Sequence, residues 1–266
     1  MAAEITSRDN AAVKQAVKLM NNAKERRERG CFIVEGTRLC GEAGDSGAKI
    51  RELFYTQDAF DKNTELCKKL ESKAEAAYLI TDEIAAKIAD TASPQGIFCV
   101  GEMAGQEIDL ATLRPDSQFI LLENIQDPAN VGAIFRTAEA LALTGIFLSP
   151  DCCDPYNPKS MRAAMGAVFR MPYLVTEPVE LLKDCKAKGM RPIAAIPGGD
   201  ASKITAIRFF KGVIMCVGNE GCGLSDALLA ACTERTVIPM RGRAESLNVA
   251  TAAAILMWEM VRNYNT

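Results

Sequence analysis

The chain has 266 residues, a formal net charge of −3, 48 % hydrophobic and 24 % charged residues, the profile of an ordinary globular protein with room for one large domain or two modest ones. No apolar run reaches the roughly 20 residues that a membrane span needs, and the start MAAEITSRDN lacks the basic-then-apolar pattern of a signal peptide, so a cytoplasmic protein is expected. Histidine is absent, which excludes Ser-His-Asp and Cys-His machinery. The ten cysteines include no Cys-x-x-Cys pair, so buried reduced thiols are expected rather than a metal site.

The spacing of Val13, Val17 and Met20 predicts an amphipathic helix from Ser7 to about Arg29, stopped at Gly30. Lys14, Lys18, Lys24, Arg26, Arg27 and Arg29 crowd this segment, diluted by Glu25 and Glu28. The cluster reads either as a solvated face with i,i+3 and i,i+4 ion pairs or as a phosphate-contacting surface. Next, strands at 31–34, 53–55, 78–80 and 97–100 alternate with helices at 37–43, 63–73 and 82–89, which defines a first αβ-layered domain over 1–103. The stretch 104–116, with Gly105, Pro115 and several charges, reads as a linker.

A second alternating series fills 117–266. Strands are predicted at 119–122, 146–148, 173–175, 192–196, 213–217 and 236–238. Helices are predicted at 129–143, 159–168 and 179–188, near Ser225, and from Ser246 to about Asn263. Apolar strands without clean alternation indicate a sheet covered on both faces, and so a mostly parallel one.

Three segments at strand-to-helix junctions concentrate chemistry, at the position where α/β proteins hold ligands. In Asp127-Pro128-Ala129-Asn130-Val131-Gly132-Ala133-Ile134-Phe135-Arg136, Asp127 suits an N-cap and Pro128 the first helical turn. Asn130 and Arg136 are six residues apart, about 600° around a helix axis, and do not share a face. Arg136 either reaches a site from nearly two turns in or pairs on the surface with Glu139.

Gly218-Asn219-Glu220-Gly221-Cys222-Gly223 follows a strongly apolar strand. Its glycines allow close backbone approach and positive φ, and Glu220 within it needs solvent or a partner. The pattern matches neither the dinucleotide nor the nucleoside-triphosphate fingerprint. In the third segment, Ile238-Pro239-Met240-Arg241-Gly242-Arg243 leaves a strand as a basic irregular loop, and Ser246 is placed to cap the last helix.

These segments, with Glu245-Ser246-Leu247-Asn248-Val249-Ala250 completing the third, closely resemble the three motifs of SpoU-type RNA ribose 2′-O-methyltransferases of the SPOUT superfamily, over about 117–266. The first hundred residues, with Phe32-Ile33-Val34-Glu35-Gly36, resemble more loosely the substrate-binding domain of the ribosomal-RNA members, which has a ribosomal-protein-like fold. The stretch Arg162-Ala163-Ala164-Met165-Gly166-Ala167 carries alanine at 164 where relatives often have serine, so Ala164 is given no polar role.

The resemblance implies an α/β fold with a deep trefoil knot, S-adenosyl-L-methionine as cofactor, a homodimer, and RNA as partner, ribosomal (23S) rather than transfer RNA. It implies a catalytic constellation of Asn130, Arg136, Glu220, Ser246 and Asn248. It places the cofactor near Ile196, Gly218, Gly221, Ile238, Met240 and Leu247. Lys24, Arg26 and Arg27 are the candidates for RNA contact, and no metal is expected. With no imidazole, Arg136 is expected to grip a neighbouring phosphate and stabilise charge on the attacking 2′-oxygen, or to serve as base. Asn130, Ser246 and Asn248 would orient the ribose or the methionine end, and Glu220 would fix the geometry of the amide or the guanidinium. The alternatives are a transfer-RNA ribose 2′-O-methyltransferase and a non-catalytic RNA-binding ribosome-assembly factor.

Overall fold

A computed structural model describes residues 2–103, 108–198, 200–209, 212–243 and 245–262. The chain divides into two compact units, one made of Met1–Gly105 with Asp154–Arg170, the other of Gln106–Cys153 with Met171–Thr266.

The first unit runs β1 (Ala3–Ile5), α1 (Ala11–Asn21), α2 (Ala23–Arg29), β2 (Cys31–Glu35), α3 (Thr37–Asp45), β3 (Ile50–Tyr55), α4 (Gln57–Lys62), α5 (Thr64–Glu71), β4 (Ala74–Ile80), α6 (Asp82–Ile88) and β5 (Ile97–Glu102). Its sheet has the order β1-β4-β3-β5-β2. β4 is parallel to β1 and β3, and β5 is antiparallel to β2 and β3. Val13, Ala16, Leu19 and Met20 of α1 bury one stripe against Ile33, Phe54, Phe98 and Ile84, as helical periodicity requires.

The single helix expected from Ser7 to Arg29 is interrupted at Asn22, which is extended at φ −132°, ψ 110°. The Asn22 side chain accepts from Lys24 N at 2.9 Å and Glu25 N at 3.3 Å and so starts α2 as its N-cap. Short polar amides compete for backbone hydrogen bonds in this way, and the apolar spacing carries no trace of it.

The interruption also decides the place of Arg26, which does not face RNA as expected. It is 2 % exposed. Its Nη1 donates to Leu19 O at 2.8 Å and Met20 O at 3.2 Å, carbonyls left open where α1 ends, while Nε and Nη2 each lie 2.8 Å from Asp154 Oδ2. Lys24 and Arg27 remain on the surface.

Asp154–Arg170 carries α8 (Pro158–Ala164) and a 3-10 turn, Ala167–Phe169. It groups with the first unit rather than with the second half of the chain in which the sequence division places it. Phe32 draws it there: its ring lies 5.5 Å from Tyr156 and 5.0 Å from Phe169, a contact energy that chain proximity does not disclose.

The second unit runs β6 (Gln118–Leu122), α7 (Pro128–Ala140), β7 (Gly145–Leu148), β8 (Tyr173–Val175), α9 (Pro178–Ala187), β9 (Arg191–Ala195), β10 (Ser202–Lys203), β11 (Val213–Val217), α10 (Asp226–Ala231), β12 (Glu234–Val237) and α11 (Val249–Arg262). Its sheet is parallel in every pair, in the order β10-β12-β9-β11-β6-β7-β8. β6 and β11 are buried at every residue, as expected of parallel strands covered on both faces. Phe119, Leu121, Ile214 and Cys216 join Leu181, Leu182 and Leu228 of α9 and α10 in one cluster. α11 packs on α7, β11 and β6.

Of the expected linker 104–116, residues 104–107 lie outside the described residues. Beyond them Ile108, Leu110 and Leu113 pack against the core of the second unit.

Candidate active site

Four neighbouring strands of the parallel sheet, in the order β12-β9-β11-β6, release the site segments from their C-terminal ends. Ile238 follows β12, Ile196 follows β9, Gly218 follows β11, and Glu123 leads from β6 toward α7. Parallel strands bring their carboxyl ends to one edge of the sheet, and loops there form the natural ligand crevice.

Asp127 caps α7 as expected: its side chain accepts from Ala129 N at 3.0 Å, with Pro128 in the first turn. This start presents Asn130, only 8 % exposed, to two partners. Asn130 Nδ2 donates to Glu220 Oε1, and Asn130 Oδ1 accepts from Asn248 Nδ2 at 3.0 Å. With its amide nitrogen on a carboxylate and its oxygen on a donor, the Asn130 side chain has one orientation. Three residues separated by 90 and 118 positions are thereby joined.

Glu220 itself is exposed, on a loop with its own internal bracing. Asn219 and Gly223 form an antiparallel bridge, and Gly223 sits at φ +71°. A Cβ at Gly218 would come within 2.3 Å of the Gly223 carbonyl, so only glycine fits. Asn219 Oδ1 accepts from Gly221 N at 2.7 Å and Cys222 N at 3.3 Å. The Gly221 amide is therefore engaged within the loop.

The third segment differs from expectation in one respect. Ser246 does not cap the last helix, which begins at Val249. Asn248 caps it instead, with Oδ1 accepting from Ala250 N at 2.9 Å and Thr251 N at 3.3 Å. Both are good cap residues, so composition cannot choose between them. Asn248 thus spends its oxygen on α11 and its nitrogen on Asn130.

Arg136 and Ser246 stand apart from this chain of hydrogen bonds. Both are exposed, and neither side chain forms a hydrogen bond or ion pair with another described residue. Arg136 lies in the third turn of α7 with its guanidinium donors open. Ile196, Ile238 and Leu247 are half-buried and Met240 is 38 % exposed, so the strand ends offer apolar side chains beside backbone.

Residues 117–258 match the SpoU rRNA Methylase family. The chain belongs to the SpoU rRNA methylase family. Residues 10–99 match the MRM3-like substrate binding domain. The chain is 33 % identical to an uncharacterized tRNA/rRNA methyltransferase of Synechocystis sp., over 98 % of this chain and 94 % of the other. It is 31 % identical to the 23S rRNA (guanosine(2553)-2′-O)-methyltransferase of Bacillus subtilis, over 97 % and 98 %. The crystal structure of an AdoMet-bound rRNA methyltransferase from Sinorhizobium meliloti superposes with a TM-score of 0.86 at 29 % identity, covering 98 % of each chain.

Proposed function

We propose that the chain transfers the methyl group of S-adenosyl-L-methionine to a ribose 2′-hydroxyl of ribosomal RNA, of the 23S class. The observation that carries this reading is the Glu220–Asn130–Asn248 hydrogen-bond chain at the carboxyl ends of adjacent parallel strands. It is supported by the family match over 117–258 and by full-length similarity to a 23S rRNA 2′-O-methyltransferase.

The residues present fit the cofactor. Half-buried Ile196, Ile238 and Leu247 and exposed Met240 give an apolar rim for a purine, and Gly218, where a Cβ would strike the Gly223 carbonyl, lets the 218–223 loop close on itself. When bound, S-adenosyl-L-methionine supplies an electrophilic methyl on a sulfonium.

A ribose hydroxyl is a poor nucleophile until its proton is polarised or removed. A guanidinium is a permanent, donor-only cation, and Arg136 has its donors open. In this reading Arg136 grips a phosphate of the RNA and stabilises charge developing on the 2′-oxygen. Asn130 and Asn248 orient the reacting groups, Ser246 adds a hydroxyl from the third segment, and Glu220 fixes the Asn130 amide.

The first unit is the RNA-binding part of this proposal, with exposed Lys24 and Arg27 contacting phosphate. Ribosomal RNA is preferred to transfer RNA because a matched substrate-binding domain spans residues 10–99. The reading includes a cytoplasmic location; among the described residues no helix is long and apolar enough to cross a membrane. It also includes a homodimer through α11, where Ile255 is 37 % and Trp258 55 % exposed on one face. The threaded path expected of the fold is consistent with Asn248 meeting Asn130 although β12 and β6 are separated by two strands.

The decisive experiment incubates the purified chain with S-adenosyl-L-methionine labelled on the methyl group and, in separate reactions, unmodified 23S RNA or unmodified transfer RNA, then digests with alkali. An alkali-resistant dinucleotide carrying the label is expected. Label on a base, or on transfer RNA alone, would overturn the assignment.

A further inference from the structure

The exposed stretch from Glu220 to Gly223 has no apolar side chain in the core; within the loop only Leu224, 8 % exposed, is buried. Its placement must therefore come from polar anchors, and two lie side by side at the end of β6. The first is Glu123, half-buried, whose own N–H donates to Val217 O at 3.0 Å and carries the β6–β11 ladder one residue past the strand. Its carboxylate takes two hydrogen bonds from Ser225, from N to Oε2 at 2.7 Å and from Oγ to Oε1 at 2.7 Å. Ser225 Oγ in turn accepts from Leu228 N at 3.2 Å, capping α10.

The second anchor is the next residue. Asn124 adopts φ +56°, a left-handed conformation that asparagine tolerates better than most side chains. Its carbonyl accepts from Asn219 Nδ2 at 2.9 Å. Asn219 then distributes its oxygen to Gly221 N and Cys222 N. The dipeptide Glu123-Asn124 thus grips the loop on both sides, at Asn219 and at Ser225, and between the grips Glu220 meets Asn130.

We propose that Glu123 and Asn219 are positioning residues for methyl transfer: they seat the 219–225 loop so that the Glu220 carboxylate is presented to the Asn130 amide. The inference rests on the proposed function for its kinetic consequence, while the seating itself is a property of the chain alone. Neither residue touches substrate in this account; each acts through Glu220. A carboxylate accepting two hydrogen bonds from one residue fixes both distance and direction. α10 keeps its own apolar hold through Leu228 and Ala231, so loss of the clamp disorders the loop more than it destabilises the fold.

The test uses the full chain carrying Glu123→Ala, Asn219→Ala and Glu123→Gln, each alone and with Glu220→Gln. Without cofactor or RNA, exchange of the Gly221 and Cys222 amide protons should quicken at least tenfold in both alanine variants, with the thermal midpoint changed by no more than a few degrees. Glu123→Ala should lower kcat about tenfold, with the KM for RNA unchanged. In the Glu220→Gln background the same change should cost less than twofold, because interacting residues are non-additive. Glu123→Gln, which can accept from Ser225 N and donate to Ser225 Oγ, should recover kcat to within threefold.

Unaltered amide exchange would overturn the clamp. An undiminished tenfold loss in the Glu220→Gln background would overturn the route through Glu220. A wild-type chain that methylates no ribosomal RNA would instead defeat the proposed function, and the exchange measurement would still decide the clamp.

Discussion

Asn248 donates its amide to Asn130 Oδ1 at 3.0 Å while its own oxygen caps α11 through Ala250 N and Thr251 N. The two duties can be separated. Asn248→Asp keeps an oxygen for the cap but turns an acceptor toward an acceptor at Asn130. It should lower kcat by ~10–100-fold, about 1.4–2.7 kcal/mol of barrier, with an unchanged thermal midpoint. Asn248→Ala should show the same kinetic loss plus about 1 kcal/mol of stability from the missing cap. Equal stability losses in the two variants would contradict this division of labour.

Arg136 supplies a second prediction. It is exposed and has no partner among the described residues, so its removal should leave the fold intact. Arg136→Ala should reduce turnover at least ~100-fold, about 2.7 kcal/mol, with cofactor affinity by isothermal titration changed less than threefold. Loss of cofactor binding would move Arg136 out of its assigned role.

The basic residues of α2 divide into two kinds. Lys24 has a side chain 76 % exposed, loosely paired with Glu28 at 3.7 Å, and Arg27 is exposed. Neutralising both should weaken RNA binding and flatten the log K against log salt plot by roughly 0.7–0.9 per lost phosphate contact. An unchanged slope would reduce the pair to a solvated face.

Arg26 belongs to the other kind. Arg26 and Asp154 have side chains only 2 % and 9 % exposed. Arg26→Ala removes the guanidinium from a buried ion pair, so it should cost about 3–5 kcal/mol in urea unfolding, and the double change Arg26→Met with Asp154→Leu should regain most of it. The salt slope of RNA binding by the folded fraction should not move.

The apolar face of α11 can be tested by charge. Ile255→Lys with Trp258→Glu should convert a dimer to a monomer in sedimentation equilibrium, since charges at the centre of an apolar interface are strongly disfavoured. A wild-type chain that sediments as a monomer at micromolar concentration would remove the dimer from the proposed function.

Much of this architecture is legible in the residues. Phe119-Ile120-Leu121-Leu122 and Val213–Val217 read as covered parallel strands and are so, and Asp127-Pro128 marks the start of α7. What stayed hidden depends on distant partners. Nothing near Arg26 announces Asp154, 128 positions away, and nothing near Phe32 announces Tyr156 and Phe169. The break at Asn22 is invisible because Val17 and Met20 continue the apolar spacing up to it. Asn248 rather than Ser246 caps α11, and the partner that holds the Asn248 amide, the acceptor Asn130 Oδ1, lies outside the segment. Of the site, Asn130, Glu220 and Asn248 meet through hydrogen bonds although their motifs lie far apart, whereas Glu123 carries no motif at all and emerges only from its two bonds to Ser225.

Asn130 waits for partners 90 and 118 positions further along the chain. During synthesis, then, a ribosome-bound polypeptide lacks a working centre until Asn248 has emerged and docked, however well its earlier domains are folded. Closure over such long sequence separations is slow, and the centre is incomplete until the chain's own assembly is finished.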